Sequence, residues 1–245
     1  GNTGGSGIVG SSHDLSTTGA NLTTDAKDRI CVFCHHPHHA VKADTNFAYS
    51  PLWNRSIPTG GFTAYSNGEM DYDDIPGTGI TDARHYMNTT PVVASVSLLC
   101  MSCHDGVTAM SAYSANNAID TATPGTGSGS TYAPTATAAI GSSNRTDLAG
   151  GQESPSEADL SNHHPIGINY EDARTADAEI APSNTEWKDA AGTGLGYTIK
   201  SLLYKDKLEC VTCHDVHNTQ NEDNAERFLW VSNNSSKFCL TCHLK

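Results

Sequence analysis

A mostly irregular polypeptide, with short helices and little β structure, is the fold class this sequence predicts, and three observations carry it. Only 37% of the 245 residues are hydrophobic and 7% aromatic. Gly, Ser, Thr, Asn and Ala are abundant, so such a chain struggles by itself to bury enough apolar area against its backbone entropy. All eight cysteines fall in four copies of one five-residue pattern: Cys31-Val-Phe-Cys34-His35, Cys100-Met-Ser-Cys103-His104, Cys210-Val-Thr-Cys213-His214 and Cys239-Leu-Thr-Cys242-His243.

Cys-x-x-Cys-His is the attachment signature of a c-type haem. Two thiols three residues apart lie on one side of a helical turn, and each bonds a porphyrin vinyl carbon. The next residue offers an imidazole to the iron. The expected fold is therefore a coil with short helices wrapped around a stack of four covalent haems, which supply the apolar surface that the chain lacks. A haem-free chain is expected to be largely unfolded. Zinc is the competing use of paired cysteines, since the last two pairs could form one four-cysteine site. A zinc ribbon does not require His after every second Cys, however. Twelve histidines in 245 residues put four such placements by chance at roughly one in 10⁵. A disulfide framework is weaker still, because adjacent Cys-x-x-Cys pairs do not cross-link a fold well.

The motifs start at 31, 100, 210 and 239, so only the last two form a tight pair, within 208–245. Residues 1–25 read as an N-terminal arm. Residues 23–33 predict a short helix entering the first motif, with Thr24 or Asp25 as its cap. The stretch 54–79 is rich in turns, and its acidic Asp71, Asp73 and Asp74 read as a solvated loop. Residues 95–103 predict a helix into the second motif. A low-complexity segment, 121–143, reads as a surface loop that could carry glycans. Residues 235–243 predict a helix into the last motif, with Ser235 or Ser236 as its cap. No boundary separates independent cores, so 1–245 is expected to be a single tetrahaem domain.

The net charge is −13. Phosphate binding needs Lys and Arg clusters that are absent, so nucleic acid is not an expected partner. No run approaches the length of a membrane span. The sequence starts at Gly1 rather than Met, and c-type haem is attached outside the cytoplasm; both predict an export signal already removed. The expected location is extracellular or at the cell surface, with the periplasm as the alternative.

A haem that only passes electrons needs both axial positions filled. His35, His104, His214 and His243 serve as proximal ligands, leaving His13, His36, His38, His39, His85, His163, His164 and His217 for the far faces. His38 and His217 follow a motif His by three residues and can reach the next haem along. His164 precedes Pro165, where extended backbone holds the side chain outward, although His163 is its immediate rival. His13 stands alone in a Gly/Ser-rich arm beside Asp14. His36, His39 and His85 read as surface groups or propionate partners, and Met70, Met87 and Met110 as packing residues.

Taken together, 12–16 (SHDLS), 31–54 (CVFCHHPH to PLWN), 97–109 (SLLCMSCHDGVTA), 159–167 (DLSNHHPIG) and 208–244 resemble the multihaem cytochromes c with paired Cys-x-x-Cys-His motifs, of the class III type. The resemblance implies His13, His38, His164 and His217 as distal ligands. Val216 stands where Pro is commoner, and His163 where an acidic residue is commoner. A four-haem chain of this size with a His-bearing arm is similar to the OmcE-type extracellular cytochromes, which polymerise into conductive filaments. That likeness implies a head-to-tail homopolymer passing electrons to external acceptors, with His13 as the natural residue to complete a haem of the next subunit. A soluble periplasmic shuttle, with His13 on its own chain's haem, is the alternative. A multihaem reductase would need one open haem face lined by catalytic groups. No motif replaces its His with Lys and distal histidines are plentiful, so the chain is not expected to be an enzyme.

Overall fold

The computed structural model describes residues 8–9, 11, 13–14, 30–37, 40, 51–55, 96–104, 164–189, 191–217 and 228–244. The chain divides into two compact units, one of 8–65 and 87–164, the other of 1–7, 66–86 and 165–245. The first holds the two N-terminal cysteine motifs and the second holds the last two.

The first unit is built on short pieces. A 3₁₀ turn spans Cys31–Phe33, and helix α1 spans Ser97–His104. Phe33, Leu98, Leu99 and Met101 are its buried apolar side chains, and Ser11, Asp14, Asn54, Arg55, Ser97 and Ser102 are buried polar ones. The predicted helix into the second motif thus forms, beginning at Ser97. Before the first motif, residues 23–29 lie outside those described, as do 121–143 and Asp71, Asp73 and Asp74.

The second unit has more regular structure. Strand β1 (Ile168–Asn169) pairs antiparallel with β4 (Lys207–Leu208), and β2 (Glu186–Lys188) with β3 (Gly194–Thr198). Helix α2 (Tyr170–Ala176) begins at Asn169, whose side-chain oxygen accepts from the N–H groups of Glu171 and Asp172 at 3.1 and 3.2 Å. Glu171 and Asp172 lie in its first turn and Arg174 in its last, the order the helix dipole favours. In β2, Trp187 points inward between exposed Glu186 and Lys188, the period-two pattern of a half-buried strand. The Trp187 and Phe238 rings lie 4.6 Å apart. Around them Tyr170, Ala181, Ile199, Leu208 and Val231 complete a polypeptide core. A whole-chain hydrophobic fraction hides this core, because its apolar residues are concentrated in one stretch.

A Cβ at Gly194, where β3 passes Glu186, would sit 2.5 Å from the carboxylate oxygens, a contact that the exposed Glu186 side chain can relieve by swinging away. Short helices α3 (Ile199–Leu202), α4 (Cys210–Cys213) and α5 (Lys237–Cys242) complete the unit. Ser236 does hold the N-cap position of α5, but without a side-chain cap bond. Its φ of +58° is left-handed, whereas a capping hydroxyl reaches the first turn from extended backbone.

Candidate functional site

Each cysteine motif is wound into a helical turn, and the turn is closed by its own histidine. The His35 N–H donates to Cys31 O at 2.8 Å, His214 to Cys210 O at 3.0 Å and His243 to Cys239 O at 3.0 Å. This is the i to i−4 bond of a helix, which brings both sulfurs and the imidazole to one local surface.

A second device recurs at three of the motifs. His35, His214 and His243 form isolated antiparallel bridges with Trp53, Leu229 and Ile180. In each case the carbonyl of the second cysteine accepts from the residue after the bridge partner: Asn54 N to Cys34 O at 2.8 Å, Trp230 N to Cys213 O at 3.1 Å, Ala181 N to Cys242 O at 2.8 Å. The residue after the histidine donates to the one before the partner: His36 N to Leu52 O at 2.8 Å, Asp215 N to Phe228 O at 2.9 Å, Leu244 N to Glu179 O at 2.7 Å. The histidine thereby occupies the closely spaced pair position of an antiparallel ladder. Leu52 and Phe228 adopt φ of +56° and +62° to place those carbonyls. The clamps go further at two motifs. Asn54 Nδ2 donates to Val32 O, and Trp230 Nε1 to Val211 O at 2.9 Å, so both tie down the carbonyl after the first cysteine.

The clamp also sets a tautomer. His35 Nδ1 lies 2.6 Å from Pro51 O. A carbonyl only accepts, so Nδ1 carries the proton and Nε2 is left with a lone pair for a metal. A ligating histidine held through its other nitrogen is the usual outer-shell arrangement at metal sites.

The motifs meet in pairs. Trp53 Nε1 donates to Ser102 Oγ at 3.1 Å and Arg55 Nε to Ser102 O at 3.0 Å, linking the first clamp to the second motif. Burial pushes the Cys34 thiol up to about 12, with Cys103 adding to the rise and the Arg55 guanidinium opposing it. In the other unit, burial pushes Cys213 up to about 12 and Cys242 up to about 11, and Cys242 contributes to the rise at Cys213. These thiols stay neutral at physiological pH, which slows disulfide exchange. No two of the eight cysteines are joined by a disulfide.

Of the expected distal ligands, His13 is brought to a cysteine motif, the second. Its ring centroid is 6.0 Å from that of His104 with the planes at 60°. Ser11 Oγ accepts from the His13 N–H at 3.1 Å, and Ser11 and Asp14 on either side are buried, so this part of the arm is seated. Two imidazoles bonding one metal from opposite sides, at about 2 Å per bond, have ring centroids about 6 Å apart. The separation of the His13 and His104 rings matches that span, so these two residues could hold one metal between them. His164 and His217 are exposed, with the His217 N–H on Asp215 Oδ1 at 3.0 Å. His36 is half-buried. His38, His39, His85 and His163 lie outside the described residues, as do Met70, Met87 and Met110.

Cys210, Cys213, Cys239 and Cys242 are all described, yet among the described residues no three His, Cys, Asp or Glu side chains converge as a metal-holding group. Among the described residues, too, no helix is long and apolar enough to cross a membrane.

Sequence reasoning missed the clamp segments 51–55, 179–181 and 228–230. A tryptophan following its Cys-x-x-Cys-His motif was the visible signal of the first and third; Glu179-Ile180-Ala181 carries none. Comparison with known protein families and with curated proteins found no match.

Proposed function

We propose that the protein carries electrons through four covalent c-type haems, each iron held between two histidines. The observation that carries this reading is the use of all eight cysteines in Cys-x-x-Cys-His, each motif wound as a turn. When bound, a haem iron cycles between the ferric and ferrous states, taking up one electron and releasing it again with no bond made or broken. The chain does the rest. Cys31 and Cys34, Cys100 and Cys103, Cys210 and Cys213, and Cys239 and Cys242 anchor the four groups. His35, His104, His214 and His243 hold one side of each iron; His13, His38, His164 and His217 are assigned to the other. At the first motif the Pro51 carbonyl keeps the His35 imidazole from turning, which limits rearrangement on electron transfer there.

On the resemblance to filament-forming tetrahaem cytochromes, we assign this carrier to the outside of the cell, as the subunit of a head-to-tail polymer delivering electrons to external acceptors. Sharing 245 residues among four haems leaves about 60 each, enough polypeptide to sheath a conducting chain. A second reading, a monomeric periplasmic shuttle, is favoured by the position of His13 beside its own chain's His104. Negative-stain imaging of the purified haem protein separates the two, because the shuttle forms no fibres.

A further inference from the structure

We propose that Arg55 is a tuning residue for the first two haems: a buried cation shared by their motifs that raises their reduction potentials. The inference rests on the four-haem reading above and adds a role for one side chain outside every motif.

Arg55 is fully buried, an uncommon place for a guanidinium. Its backbone belongs to the first clamp, two residues beyond Trp53, the partner of His35. Its Nε donates at 3.0 Å to the carbonyl of Ser102, which lies between Cys100 and Cys103 and is itself fully buried. Trp53 Nε1 reaches the Ser102 hydroxyl at 3.1 Å, so the same strand segment is fixed twice against the second motif. Asn54, immediately before Arg55, donates its N–H to Cys34 O at 2.8 Å, so Arg55 follows directly on a contact to the first motif. One cation is thus held against the attachment turns of two haems.

The sign follows from electrostatics. Reduction adds one negative charge at iron, and a cation in a low-dielectric interior stabilises the product more than the reactant. Net charge and burial are among the main determinants of haem potential. The chain has 27 acidic against 14 basic residues, which makes a buried cation a local exception to its field.

The test is a spectroelectrochemical titration of the purified haem protein beside Arg55→Gln and Arg55→Lys, each with its haem content measured. At the native midpoints, Arg55→Gln is expected to lower the reduced-to-oxidised ratio of one or two haems about tenfold, equivalent to about 59 mV for one electron. Arg55→Lys retains most of the native value, and the remaining haems do not move. Four haems with unchanged potentials in Arg55→Gln overturn the proposal, as do equal shifts in both variants, which assign the effect to the lost hydrogen bond. If Arg55→Gln does not hold four haems, ¹⁵N-arginine labelling of native protein decides. The guanidinium signal that Arg55→Lys deletes must respond to oxidation of the first two haems, and a signal indifferent to every redox state overturns the proposal. Fewer than four haems in native protein is a different failure, that of the cofactor reading itself.

Discussion

His13 and Trp230 show how much a single side chain carries here. The His13 ring lies 6.0 Å from that of His104, a placement that favours a role within its own chain. His13→Ala should therefore turn one of four low-spin haems high-spin in the EPR spectrum while leaving assembly unchanged. Loss of fibres together with one high-spin haem per chain would instead place His13 on a neighbour. Trp230 Nε1 is the donor to Val211 O. Trp230→Phe keeps the ring and deletes that donor, so the midpoint of chemical denaturation of the haem protein should fall by an amount equivalent to about 1–2 kcal/mol. An unchanged midpoint would mean that water replaces the bond freely.

Among the elements, the core around Trp187 matters most in the second unit. Trp187 is 1% exposed and stacks on Phe238, the residue before Cys239. Truncating it to alanine is expected to cost about 3–5 kcal/mol, the range for a buried aromatic. Limited proteolysis should then open 165–245 first, and resistance equal to the native protein would show that the haems alone hold this unit. Helix α2 adds a pH-sensitive contribution. Hydrogen bonds from Ser183 hold the Glu171 carboxyl below its ordinary range, with Arg174 assisting. A depressed carboxylate stabilises the fold above its unfolded pKa, and that stability is lost as pH falls through the folded value. Glu171→Gln should flatten the acid limb of stability against pH and leave the neutral-to-alkaline limb unchanged. The elements also mark what the sequence made legible. The turns at the motifs and the helix ending at His104 follow from local spacing, which a single sequence displays. The clamps do not, because each joins a motif to a distant partner by one isolated bridge, as His35 Nδ1 to Pro51 O across 16 residues. No period marks a bridge. The strand Glu186–Lys188 was readable in principle from its polar–apolar–polar order, but three residues are too few to stand out. His13 was legible as a candidate ligand from its isolation, whereas its nearness to His104 became visible only in the fold.

For the whole molecule, the arrangement is one of paired motifs, the first two in one unit and the last two in the other. Such pairing suits a carrier, since electrons pass between cofactors held by neighbouring turns and the polypeptide supplies spacing, ligands and local charge. The central claim is that four irons sit between imidazoles on thioether-linked porphyrins. A haem count by pyridine haemochrome, taken with the EPR spin state and metal analysis of the same sample, tests it most directly. The account predicts four haems per chain, all low-spin, with iron as the bound metal. Fewer than four, zinc in their place, or a high-spin haem in the native protein would contradict it.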